Sequence, residues 1–414
     1  MRLMKGLSKS CAFLFLTIML ATRVAASPKY QVLHDMNCAT DGCGIWGTLT
    51  LDGSGNLRGA ASGGPGNNYG AIFELASGPG GSWSYRLLHV FSDYHTDGEG
   101  PNGELVFDPV GNLYGTAGGG GANDEGTIFE LVPGSGGWSF SVLYNFGTRY
   151  GDGSSPQSGM VMDSSGNLYG VAGGRMFELS PGSGGWTEKV LYTFCPNCSK
   201  GSSPIGPAVL DSTGNLYGTT GGGGKYNGCP NGSGCGVAYE LRRPPKGRWK
   251  EAVLYTFQAG RDGFDPSSGL TFDQSGNLYG VTALGGGHGC YLGIGCGTVF
   301  KLTPKSRGGW KESVIHSFGN GRNGNYPFGT VALDKAGNLY GVTAYGGSGC
   351  GCGVIYKLSP GPKGKWTYTI EHSFTYSDGA EGGGGLIIDN NGNLYGGTGY
   401  GGAYGEGVIF ELTP

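Results

Sequence analysis

Charge, histidine and long apolar runs are what this sequence has least of. Only 14% of its 414 residues are charged, and six are histidine. There is no basic cluster and acidic residues outnumber basic ones, which argues against nucleic acid or anionic membranes as partners. Beyond residue 26 no apolar run could cross a bilayer, so no membrane span is expected. A long helical period is also missing. Glycine is the opposite extreme at 91 residues, yet 37% apolar and 12% aromatic content, placed periodically, argues against disorder. The glycines mark turns.

The first 26 residues stand apart. Arg2, Lys5 and Lys9 precede an apolar run from Cys11 to Ala21 and a small-residue exit at Val24-Ala25-Ala26. This is the pattern of a secretory signal peptide, residues 1–26. Its removal leaves 23 basic against 30 acidic residues, a formal charge of −7. The mature chain is expected to be secreted, periplasmic or on the cell surface, and monomeric. Ten cysteines remain, grouped as Cys38/Cys43, Cys195/Cys198, Cys229/Cys235, Cys290/Cys296 and Cys350/Cys352. An even count of near neighbours in an exported chain reads as short-loop disulfides, with the Cys350/Cys352 ring the most strained.

What the chain does have is a repeat. Asp-x-x-Gly-Asn-Leu-x-Gly begins at Asp52, Asp108, Asp163, Asp211, Asp273, Asp334 and Asp389, with Tyr in the x position of six copies and Arg58 in the first. Between copies recur four short runs rich in β-branched and aromatic residues, bounded by Gly, Pro and Asn, which is the strand signature. These are strands A to D. The turn joins A to B with its Asp side chain capping backbone N–H groups. A glycine-rich loop joins B to C, and an Asp-Gly-x-x-Pro loop joins D to the next A. The predicted fold is all-β, a seven-bladed propeller of four-stranded antiparallel blades forming one domain over residues 27–414. The chain opens with a D strand (about 30–36) and ends with a C strand (about 407–412), so their pairing is expected to close the ring without a free edge.

The recurring Gly-Asn-Leu-Tyr-Gly, Gly-Thr-(Val/Ile)-Phe-(Lys/Glu)-Leu and Trp-x-x-x-Val-Leu-Tyr-x-Phe strings resemble those of the GloVer tandem-repeat family over residues 30–414. The resemblance implies an exported bacterial repeat protein and supplies no catalytic residues. Members carry variable C-terminal anchors; none is seen before Pro414 here.

Candidate chemistry is sparse. His34, His89, His316 and His372 share one strand D position with Tyr144, Tyr192 and Tyr255, which reads as packing. His95 and His288 lie in loops with no ligand-spaced partner, and one Asp per turn gives too few oxygens for calcium, so no metal or cofactor is expected. Cys195-Pro-Asn-Cys198 lacks the following helix of a redox pair. The strand D tryptophans (Trp83, Trp138, Trp186, Trp249, Trp310 and Trp366) read as hairpin support. The B–C and D–A loops vary, carry all ten mature cysteines and emerge on one face. A ligand is therefore expected there, with Tyr94, His95, Asp97, Tyr150, Asp152, Tyr226, Arg261, Asp262, His288, Arg322, Tyr345, Asp378 and Tyr400 as candidate contacts. The competing role for Asp97, Asp152, Asp262 and Asp378 is capping their own turns. Function reads as non-catalytic binding of a ligand or partner, a glycan or cell-envelope material being one such ligand. The alternative is a carbohydrate-active hydrolase or lyase, needing two carboxylates about 5–10 Å apart, or a base with a cationic stabiliser, at the channel mouth. Arg261/Asp262 and Arg322 are its only visible seeds.

Overall fold

A computed structural model describes residues 27–66, 69–195, 199–225, 229, 232–287, 289–290, 293, 295–319 and 321–414. The signal peptide, Cys198, Tyr226 and His288 lie outside the described residues.

Each repeat folds into one antiparallel sheet. In blade 1 the strands are A (Thr50–Leu51), B (Leu57–Ala61), C (Ala71–Ser77) and D (Trp83–Val90), paired in that order. Six further sheets repeat this arrangement, and seven blades close a ring. The seventh takes its D strand from the other end of the chain: Lys29–Asp35 pairs antiparallel with Val408–Thr413, from Lys29↔Thr413 to Asp35↔Val408 with a register shift between Val32 and His34. The expected closure is thus observed.

The repeated turn explains itself atom by atom. Asp273 accepts from the Ser275 and Asn277 amides at 2.8 and 2.9 Å, from Asn277 Nδ2 at 2.7 Å and from the Tyr279 hydroxyl at 3.0 Å. Gly276 sits at φ 76°, where a β-carbon would be strained. These bonds hold the Asp273 carboxyl below the usual range against the opposing effect of its burial. In the first copy Arg58 replaces the tyrosine and bonds Asp52 at 2.8 Å instead.

The turn also clasps its neighbour. Trp186 packs edge-on against Tyr114 of the preceding blade at 5.8 Å, and Trp310 against Tyr217 at 6.3 Å. Trp138 takes the Arg58 guanidinium over its ring at 5.3 Å, a cation–π contact that keeps the clasp where tyrosine is missing.

The shared His/Tyr position of strand D does two jobs. Where it is histidine its ring stacks on the next blade, as His34 on Tyr85 at 4.2 Å and His372 on Tyr30 at 3.8 Å. In four blades its polar atom reaches the carboxylate of the following D–A loop: His34 to Asp41 at 3.0 Å, Tyr144 to Asp152 at 2.7 Å, Tyr255 to Asp262 at 2.8 Å and His372 to Asp378 at 3.1 Å. His and Tyr interchange because each offers a flat ring with a polar edge.

Along the axis the seven A strands come together at Gly47, Gly103, Ser158, Gly206, Ser268, Gly329 and Gly384. A β-carbon on Gly206 or Gly384 would overlap the backbone of the next A strand. Glycine is therefore required at those two positions for the ring to close this tightly, and the channel narrows there to a neck of about 110 Å³.

Candidate functional site

Four disulfides brace the loop face: Cys38–Cys43, Cys229–Cys235, Cys290–Cys296 and Cys350–Cys352. They act on one repeated backbone feature. Where each D–A loop enters strand A, one residue adopts the left-handed conformation: Gly44, Gly100, Ser155, Ser203, Asp265, Tyr326 and Glu381, all between φ 45° and 71°. Five of the seven carry side chains, a conformation that costs about 1 kcal/mol or more and concentrates at functional positions. Its cause is a hydrogen bond between blades. Asp265, Tyr326 and Glu381 donate their N–H groups to the carbonyls of Cys235, Cys296 and Cys352 at 3.2, 2.9 and 3.0 Å. Each acceptor is the second cysteine of a disulfide, so the bridge fixes the carbonyl that holds the strained residue.

These three residues belong to one aromatic crescent. The Tyr326 and Tyr345 rings lie 6.2 Å apart, and Trp46 meets Tyr400 edge-on at 5.5 Å. Tyr326, Tyr345 and Tyr400 are exposed. Burial of part of the ring, then the charge of Glu381, then Tyr400 push the Tyr345 phenol up; burial and then Asp265 do the same to Tyr326. Burial also raises the Asp265 carboxyl. The order around the mouth is Asp265, Tyr326, Tyr345, Glu381, Tyr400, Trp46, spanning blades 5 to 7 and the entry to blade 1.

Of the residues expected from sequence, Tyr345 and Tyr400 fall in this crescent. Asp97, Asp152, Asp262 and Asp378 turn inward to cap their loops, each accepting a backbone N–H (from Ser92, Arg149, Gln258 and Thr375, at 2.8 to 3.0 Å). Asp152 is only 3% exposed. Their capping role therefore competes directly with ligand contact, and Asp262 of the Arg261/Asp262 seed accepts from the Tyr255 hydroxyl at 2.8 Å. Arg261, Arg322 and Tyr150 are exposed. His95 pairs with Asp124 at 3.2 Å, and Tyr94 lies edge-on to His95 at 5.1 Å, at the junction of blades 1 and 2 and outside the crescent. Among the described residues, the one His/Cys/Asp/Glu triple close enough for a metal is Cys38, Cys43 and Glu406, whose two sulfurs are joined in a disulfide.

Sequence reasoning missed Asp265, Tyr326, Glu381 and Trp46, and also Glu104. Glu104 is the one carboxylate among the described residues lining the neck and the wider channel below it. Solvent reaches part of it, but protein surrounds it, and that enclosure pushes its carboxyl up to about 7. A carboxyl that stays protonated in the fold but ionises near pH 4.5 when unfolded stabilises the native state fully at lower pH. That contribution fades as pH rises towards 7. Glu104→Gln is expected to match wild type in thermal unfolding at pH 4 and to melt a few degrees higher at pH 8. Equal midpoints at pH 8 would show that the carboxyl ionises freely.

The fold and this face define a closed, disulfide-braced seven-bladed propeller with a glycine neck and an aromatic mouth. The Gloeobacter/Verrucomicrobia repeat matches residues 20–228 and 227–414, and the chain belongs to that family. No curated protein matches it in sequence. Solved structures share the fold alone. A fungal alcohol oxidase of the AA5 family in complex with copper has a TM-score of 0.54 at 14% identity, over 91% of this chain and 75% of its own. The extracellular domain of a protein assigned to the hybrid two-component systems of B. thetaiotaomicron has a TM-score of 0.53 at 14% identity, over 94% of this chain. PorZ, a surface component of the type-IX secretion system of Porphyromonas gingivalis, has a TM-score of 0.51 at 15% identity, over 91% of this chain. The chain spans 41% and 48% of the lengths of the last two.

Proposed function

We propose that this is an exported propeller that binds a glycan, without catalysis, through its disulfide-bearing face. The carrying observation is the crescent: exposed Tyr326, Tyr345 and Tyr400 rings interleaved with the Asp265 and Glu381 carboxylates. Sugars present apolar C–H faces edged by hydroxyls, and flat rings beside carboxylate acceptors complement both parts. The strained backbone under three of these residues, held by disulfide-tied carbonyls, supports a preorganised site. Export is supported by the four disulfides and by the N-terminal segment. Among the described residues no helix is long and apolar enough to cross a membrane.

The hydrolase or lyase reading needs two converging carboxylates, or a base beside a cationic stabiliser, and the crescent residues include no cation. Asp265 and Glu381 are separated by the tyrosines of blade 6, and the channel offers Glu104 singly among the described residues that line it. Binding is therefore the better reading. A glycan array probed with the secreted protein is expected to give discrete hits that Asp265→Asn/Glu381→Gln weakens. An array with no hit for the wild type would end the glycan reading.

A further inference from the structure

The loop face carries a second feature, on the side of the ring away from the crescent. Blade 3 has its B–C connection cut to Gly173-Gly174, between strands Leu168–Ala172 and Arg175–Ser180. The space a longer loop would fill is a cavity of about 630 Å³ between blades 3 and 4.

The shortened loop removes a hydrogen-bond acceptor. In six blades the left-handed residue of the D–A loop donates its N–H to the preceding blade's B–C loop: Gly44 to Glu406, Gly100 to Tyr69, Ser155 to Glu125, Asp265 to Cys235, Tyr326 to Cys296 and Glu381 to Cys352. Ser203, at φ 54°, is the seventh. Among the described residues none in blade 3 accepts from it, and it lines the cavity. The Ser203 amide thus lacks the inter-blade partner that its six counterparts have, in a residue that faces the cavity.

The other polar groups agree in sign. Arg175 lines the same cavity, with one guanidinium nitrogen fixed on the Gly173 carbonyl at 3.1 Å. Among the described residues it has no acidic partner, and no carboxylate lines the cavity. The Gln157 amide and the Ser155 and Ser203 hydroxyls add donors, while Val171 and Phe194 give an apolar floor. On a chain of acidic balance this is a local concentration of hydrogen-bond donors around one positive charge.

We propose that this cavity is a subsite for a carboxylate-bearing sugar, a uronic acid unit, with Arg175 and the Ser203 N–H receiving the carboxylate and the apolar floor receiving the ring. It rests on the glycan reading and gives it a charge preference. The two ends of the face then differ: the crescent takes a neutral unit through rings and acceptors, and the cavity takes an anionic unit through donors.

Calorimetric titration of the whole mature protein tests it with three probes: trigalacturonate, galactotriose and inorganic sulfate. The expected result is tighter binding of trigalacturonate than of galactotriose, a preference that Arg175→Gln reduces by about 10- to 100-fold, the range for a charge-assisted hydrogen bond. Arg175→Lys keeps the charge without the fork and is expected to restore only part of the preference. Grafting the blade 2 loop Gly119–Gly126 in place of Gly173-Gly174 is expected to abolish it by filling the cavity. Equal binding of both trisaccharides, untouched by Arg175→Gln, overturns the uronate subsite and leaves glycan binding standing. Sulfate binding as tightly as trigalacturonate overturns it in favour of a plain anion site. Binding of neither sugar overturns the uronate subsite, while the glycan reading stands or falls on the array.

Discussion

Deleting residues 27–36 is expected to leave a chain without a cooperative thermal transition and prone to aggregate. The deleted strand supplies the D position of blade 7 along the whole register from Lys29↔Thr413 to Asp35↔Val408. It also carries Tyr30, whose hydroxyl donates to the Asp378 carbonyl at 2.6 Å and whose ring stacks on His372 and packs on Phe410. Met36 is fully buried, and Val32 and Leu33 pack on the cores of blade 7 and of its junction with blade 1. Burying each such side chain contributes about 1.5–3 kcal/mol, so the strand's total is comparable to the about 5–15 kcal/mol by which a whole domain is stable. The exposed strand Val408–Thr413 would then present a free edge for pairing with other chains. A milder variant reads the same effect without unfolding the ring. Tyr30→Ala is expected to lower the unfolding midpoint while leaving a single transition. A deletion variant that still melts cooperatively near the wild-type temperature would mean that the ring does not depend on this closure.

The second large effect is on binding. Tyr345→Ala combined with Tyr400→Ala is expected to weaken a glycan identified on the array by about 100-fold or more, with little change in stability. Both rings are exposed, 45% and 46%, so truncation removes contact surface without opening the core. Aromatic anchors typically contribute about 2 kcal/mol each at the centre of a binding surface, and about 1.4 kcal/mol corresponds to tenfold in affinity. Truncating Tyr94, beside His95 at the junction of blades 1 and 2 and outside the crescent, is expected to change affinity less than threefold, roughly the effect of a peripheral contact. If the Tyr94 and the Tyr345/Tyr400 variants lose affinity equally, the crescent is not the centre of the site.

The ring was legible in the sequence because its determinants are local and repeated. Asp273, Gly276 and Asn277 sit within five residues and form most of the turn by themselves, and seven copies make the period plain. The closure could be read from strand order alone. The site was less legible because its determinants lie between blades. Asp265 and Tyr326 each precede a proline, a context that favours extended backbone, yet both are left-handed because their N–H groups are drawn to Cys235 and Cys296 of the preceding blade. No property of Asp265-Pro266 reveals that bond. Glu104 was passed over for a related reason. Its equivalents in other blades include Thr48, Pro207 and Gly385, so no pattern marks the position, and its enclosure comes from seven strands meeting at the axis. The Asp-Gly motifs had the reverse fault. Asp152 and Asp262 are conspicuous along the chain, but their carboxylates serve Tyr144 and Tyr255.

The central claim is that ligand meets the disulfide-bearing mouth and not the face of the repeated turns. Hydrogen-exchange mass spectrometry with and without an array-identified oligosaccharide tests it most directly. The account predicts slowed exchange in 263–267, 324–328 and 379–383, with the turns that begin at Asp52, Asp108, Asp163, Asp211, Asp273, Asp334 and Asp389 unchanged. Protection centred on those turns, with the crescent segments unaffected, would contradict it.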